Sequence, residues 1–148
     1  MDKNSTLQAI QNARKAHEVQ MAKIEDAIAG NYVEDPATVS KTECAFGMWL
    51  YNDNNHVKEI LGAQFFNTIE MNHTKWHNEY LAVFNILFKN RKKQGFLSKM
   101  MKVKPIDDME LDRVKAYYSD LKITTNELLK ILGASERRVD AMSESKFH

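Results

Sequence analysis

The chain has 148 residues, 43% of them hydrophobic, with 21 Lys and Arg against 20 Asp and Glu for a formal net charge of +1. That length fits one domain able to bury a core without disulfides, and so small a charge exerts no overall pull toward nucleic acid or anionic lipid. The single Cys44 excludes an internal disulfide, no run of 18 or more apolar residues could span a membrane, and no charged n-region leads into an apolar h-region, so a cytoplasmic protein bound to neither membrane nor nucleic acid is expected.

Two prolines and five glycines fall between long periodic segments, which predicts an all-α protein. A first helix over about 5–29 carries Leu7, Ile10, His17, Met21, Ile24 and Ile28 on one stripe and stops at Gly30. "NYVEDP" reads as a loop, Pro36 can open a shorter helix toward Leu50, "YNDNN" breaks it, and "HVKEILG" forms a further short helical piece. A long helix over about 64–93 places Phe66, Ile69, His73, His77, Tyr80, Phe84 and Leu87 on one face, with Gly95 beyond its end. "FLSKMMKVK" is a connector, and the basic residues from Lys89 to Lys104 read as a solvated helix end and loop. The last long helix, about 105–132, starts near Pro105 with Asp107 and Asp108 at its positive end, turns Val114, Tyr117, Leu121, Leu128 and Leu132 inward, and stops at Gly133. Residues 134–148 read as polar and frayed. Long amphipathic helices on short connections bury their stripes against each other, so the expected fold is an antiparallel four-helix bundle with an additional short helix.

Three of the five histidines, His17, His73 and His77, fall on predicted core faces, and His73 and His77 are four residues apart on one helix, within reach of a single ion. A single inward His is more often a hydrogen-bonded core residue, and a single Cys a small buried hydrophobe. Together they favour a metal, because three unpaired buried imidazoles are costly. Cys44 sits in the turn-prone stretch "TECAFGMWLYND", where Gly47 permits close backbone approach and Trp49 can shield a site from water. Three imidazoles and a thiolate suit tetrahedral zinc at about 2.0–2.1 Å for nitrogen and about 2.3 Å for sulfur, and leave no open position for substrate. Thr74, Lys75 and Trp76 between the two histidines supply no general base of the H-E-x-x-H kind, so hydrolysis is disfavoured and no enzyme is expected. His56 and His148 receive no role.

The ordered elements His17, then "CAFGMW" from Cys44 to Trp49, then "FNTIEMNHTKWH" from Phe66 to His77, resemble the chemoreceptor zinc-binding domain family of bacteria, in which a helix-borne His precedes C-x-x-G-x-W and H-x-x-x-H. The resemblance covers roughly residues 10–88. Gln20 departs from it, since the family usually places Trp three residues after the first His. The resemblance implies a homodimeric helical bundle holding zinc through three His and one Cys, which regulates chemoreceptors or diguanylate cyclases in response to zinc or oxidants. "FNILF" and the Tyr117, Tyr118 pair, more apolar surface than one core needs, point to a homodimer as well. Two other readings stand beside it. A hemerythrin-like di-iron oxygen carrier shares the bundle and H-x-x-x-H but wants more histidines and bridging carboxylates; an interaction module would use its zinc only to hold the fold.

Overall fold

The computed structural model describes residues 1–89 and 106–147. In it the helical stripes become α1 (Lys3–Ile28), the short α2 (Ala45–Leu50) and α3 (Val57–Leu61), α4 (Ala63–Leu87) and α5 (Asp108–Asp140), with no strand among the described residues. Two of the long helices open on an aspartate cap. Asp2 accepts the Ser5 amide at 2.6 Å ahead of α1, and Asp107 accepts the Glu110 amide at 2.8 Å ahead of α5, each satisfying an amide with no partner inside its helix. α1 closes at Gly30, whose φ of +90° suits the left-handed turn that carries the chain away.

α5 packs along both α1 and α4. It runs antiparallel to α1: Lys3 Nζ reaches the Asp140 carbonyl at 2.7 Å near one end, and Tyr118 donates to Glu25 near the other. It runs antiparallel to α4 too, with Arg138 over the Phe65 ring at 5.1 Å and Thr124 donating to Glu79 at 2.6 Å. α1 and α4 are therefore parallel to each other, and residues 29–62 return between their opposite ends. The expected all-α bundle forms; its long members among the described residues are α1, α4 and α5, and the returning segment carries only the short α2 and α3. Ile10, Ile24, Ile69, Val83, Leu121 and Leu128 fill the interior at 1% exposure or less. Burying side chains of this kind contributes roughly 1.5–3 kcal/mol each.

Three boundaries differ from expectation. The helix expected from Pro36 begins only at Ala45, because the backbone of the intervening residues bonds to other elements. Ala37 donates its amide to Gln20 Oε1 at 3.0 Å and accepts from the Tyr80 hydroxyl at 2.9 Å, and the Val39 carbonyl bonds His77 Nδ1 at 3.0 Å. The Thr38 and Ser40 hydroxyls accept from amides two residues on, which competes with helix formation. α4 stops at Leu87, where the Phe88 and Lys89 amides both close on the Phe84 carbonyl, at 2.8 and 3.0 Å. Gly95, the "FLSKMMKVK" connector, Pro105, the basic residues from Arg91 to Lys104, and His148 lie outside the described residues.

The third difference is Gly133, which does not terminate α5. The helix continues to Asp140, with Ser135 and Val139 fully buried, so residues 134–140 are not frayed. The apolar period runs on past the glycine, and Arg14 of α1 pairs with Glu136 at 2.7 Å just beyond it. Glycine inside a helix costs roughly 0.5–1 kcal/mol, which this packing outweighs. In "FNILF", Leu87 and Phe88 are buried and Phe84 and Ile86 half-buried, so part of the apolar surface read as excess closes the bundle interior.

Candidate metal centre

His17 on α1 and His73 and His77 on α4 meet in the core, each at most 5% exposed. One ring nitrogen from each lies within 4.8 Å of those of the other two. The other nitrogens identify which face inward. His17 Nδ1 bonds the Ala13 carbonyl at 2.7 Å and His77 Nδ1 the Val39 carbonyl at 3.0 Å. A carbonyl only accepts, so both Nδ1 atoms carry the proton and both Nε2 atoms present a lone pair. His73 Nδ1 meets the Tyr51 hydroxyl at 3.3 Å, while that hydroxyl donates to Glu70 Oε1 at 3.2 Å. Tyr51 therefore accepts from His73, which leaves the third Nε2 as a donor atom also. His77 Nε2 is buried with no hydrogen-bond partner. An orphaned imidazole lone pair facing two others is costly in an apolar interior and fits a cation.

Cys44 enters from the other side as the N-cap of α2. Its Sγ accepts the Gly47 amide at 3.2 Å, lies 3.4 Å from the Lys41 carbonyl, and stands 3.4 Å from His73 Nε2. Donors about 2.0–2.3 Å from one tetrahedral metal stand roughly 3.5 Å apart, a spacing this pair already has. Gly47 makes the turn possible. A Cβ there would lie 1.6 Å from the Lys41 carbonyl oxygen and 3.3 Å from Cys44 Sγ, so only glycine lets the turn fold tightly enough to bring sulfur to the imidazoles.

Burial pushes all three histidines below their ordinary range, His73 to about 3 and His77 to about 4. They are neutral at physiological pH, the form a metal needs. Burial raises the Cys44 thiol, against the lowering effect of the Gly47 amide. Glu70 is pulled below the usual carboxylate range, chiefly by its hydrogen bond from Lys41, while burial and then the Glu70 charge push the Tyr51 phenol up.

The three histidines expected from the sequence thus meet at one point, and Cys44 Sγ stands beside one of them, His73. His56 does not: it is exposed at the start of α3, in a left-handed conformation with φ of 51°. Trp49 does not shield the site as expected. It stacks on Phe46, with centroids 5.9 Å apart, and turns its indole N–H to Met1 Sδ at 3.3 Å. The walls are Phe46 and Trp76, and Trp76 lies edge-on to His17 at 4.9 Å and to His77 at 5.0 Å. Its N–H is held by Thr125 Oγ1 at 2.8 Å, which fixes the indole beside the rings. Trp76 was findable, since it falls three residues after His73 on the same face of α4; Tyr51, Glu70 and Lys41 carried no local signal. Gln20, the departure from the family pattern, docks residue 37 onto α1 and lines a cavity of about 270 Å³ that reaches His17, Cys44 and His77.

Residues 17–83 match the family model of the chemoreceptor zinc-binding domain. The resemblance read from the sequence is thereby shown over the part of the chain that carries His17, Cys44, His73 and His77. No curated protein and no solved structure matches the chain.

Proposed function

We propose that this chain is a zinc-binding regulatory module, not an enzyme, in which His17, Cys44, His73 and His77 hold one zinc ion. The observation that carries the reading is the buried, unpartnered His77 Nε2 facing the other two imidazoles beside Cys44. Three nitrogens and one sulfur form a closed set, so the metal supplies a cross-link between α1, α4 and the Cys44 turn and no open position for substrate. Each His donates its outer N–H to a carbonyl or hydroxyl, the support that ligating imidazoles require. A di-iron centre needs bridging carboxylates, and among the described residues the cluster contains none.

Regulation follows from where the ligands sit. The turn 37–44 is tied to α1 through Gln20 and to α4 through Glu70, His77 and Tyr80, so occupancy of the site, or oxidation of Cys44 to a poorer donor, biases how that segment packs on the two helices. The cavity beside Cys44 gives metal and small oxidants a way in. The family match supports a cytoplasmic, homodimeric module acting on a chemoreceptor or a cyclic-di-GMP enzyme as output partner. No helix among the described residues is long and apolar enough to cross a membrane.

Elemental analysis of protein purified without added metal tests the reading, with about one zinc per chain expected. Iron in its place, or no metal after zinc reconstitution, refutes it. Chemoreceptor or cyclase output that ignores zinc in a reconstituted assay would leave only a fold-holding metal.

A further inference from the structure

Outside the four donors, one side-chain network reaches the site and ends at the surface. Glu70 Oε1 receives three donors: Lys41 Nζ at 2.7 Å, Thr74 Oγ1 at 3.0 Å and the Tyr51 hydroxyl at 3.2 Å. Lys41 Nζ also reaches Thr74 Oγ1 at 2.8 Å. With its one proton committed to Glu70, the Tyr51 oxygen can only accept from His73 Nδ1, 3.3 Å away. Lys41 thus touches both halves of the site. Its carbonyl lies 3.4 Å from Cys44 Sγ, and its ammonium acts through Glu70 and Tyr51 on His73.

We propose that Tyr51, oriented by Glu70 and Lys41, is the positioning residue that fixes His73 as its Nδ1–H tautomer, aims Nε2 at the metal, and thereby sets the zinc affinity of a site whose Cys44 turn the same lysine clamps to α4. The affinity half rests on the zinc reading above; the tautomer half does not. His17 and His77 are fixed by backbone carbonyls, which no substitution of their partners removes. His73 alone is fixed by a side chain, and that side chain depends on an ion pair about one-third exposed to solvent. It is the one imidazole of the three whose orientation can be changed through a part-exposed ion pair. Without Glu70, the Tyr51 hydroxyl is released to donate toward Nδ1, which moves the ring proton to Nε2 and turns a donor atom into an N–H facing Cys44 Sγ.

The test compares wild type, Tyr51→Phe, Glu70→Ala and the double variant. Long-range nitrogen–proton NMR on the metal-free proteins reads the His73 tautomer, and competition with a chromogenic chelator reads zinc affinity. Wild type is expected to show Nδ1–H. Glu70→Ala is expected to shift His73 toward Nε2–H, and Tyr51→Phe to lose the Nδ1–H preference. Each single variant is expected to weaken zinc about 10- to 100-fold. In the double variant the Glu70 change adds nothing to the tautomer shift, because it acts through Tyr51. The cobalt-substituted forms keep a thiolate-to-cobalt band, since Cys44 is untouched. A wild-type Nε2–H tautomer, an unchanged tautomer in both single variants, or unchanged zinc affinity in both overturns the proposal. Should wild type bind no zinc, the proposed function fails, and the metal-free tautomer comparison still decides whether Tyr51 positions His73.

Discussion

Lowering the pH on metal-free protein should destabilise it in a window set by the three core histidines. In the folded chain burial holds His73 at about 3 and His77 at about 4, with His17 displaced the same way. In the unfolded chain each returns to about 6.5. The unfolded state therefore binds more protons between these values, and stability falls as pH drops below about 6.5. The contribution is fully present above that pH and is lost on the way down to the folded values. Each histidine costs about 1.4 kcal/mol per pH unit once the unfolded form is protonated, so His73 and His77 together remove about 4–5 kcal/mol between pH 6.5 and 4.5. Against a total of roughly 5–15 kcal/mol, that is enough to bring the apo-protein close to unfolding. The assay is urea denaturation with chelator present, followed by far-UV circular dichroism from pH 7.5 to 4.5. His56→Gln serves as the control, being exposed and outside the histidine cluster. A free energy of unfolding that stays flat between pH 6.5 and 5, or that slopes equally in a His73→Asn, His77→Asn double variant, would show that the imidazoles are not held neutral by burial. Zinc should move the transition to lower pH, because it competes with the same protons.

Zinc uptake at pH 7 should release about one proton, from the Cys44 thiol that burial keeps protonated and not from the already neutral histidines; titration calorimetry in buffers of different ionisation enthalpy measures it, and no release would remove Cys44 from the ligand set. Gly47→Ala should destabilise the protein by about 1–3 kcal/mol in spite of alanine's better helix propensity, and weaken zinc binding, because the new Cβ displaces the Lys41 carbonyl. Denaturation curves with and without zinc report both effects, and a stabilised variant would contradict the turn geometry. Cys44→Ala should lower zinc affinity sharply and abolish hypochlorite-triggered zinc release, whereas His56→Ala leaves both intact. A chelator followed during oxidant titration distinguishes them, and equal release from wild type and Cys44→Ala would show that the thiol is not the redox-sensitive donor.

Much of this protein was legible from periodicity. His17, His73 and His77 share phase with Ile10, Ile24, Ile69 and Leu87, and a helical stripe that buries the aliphatic residues must bury the imidazoles with them. Gly47 was legible for a related reason, as a residue whose lack of a side chain has a use only where backbone comes close. The boundaries at Pro36 and Gly133 were not. A proline can open a helix, but residues 37–42 bond instead to Gln20, His77 and Tyr80, partners set by the approach of α1 and α4. A glycine can end a helix, but at 133 the apolar period continues and Arg14 of α1 pairs just beyond it. The shell around the site lay equally out of reach. Trp76 replaces Trp49 as a wall because Thr125 of α5 holds its indole, and Lys41 and Tyr51 converge from separate places in the chain on one carboxylate oxygen of Glu70. Local sequence determines which face of a helix turns inward, because that depends on 3.6 residues per turn. It does not determine which side chain of one element meets a given atom of another, because that is fixed only when the elements dock.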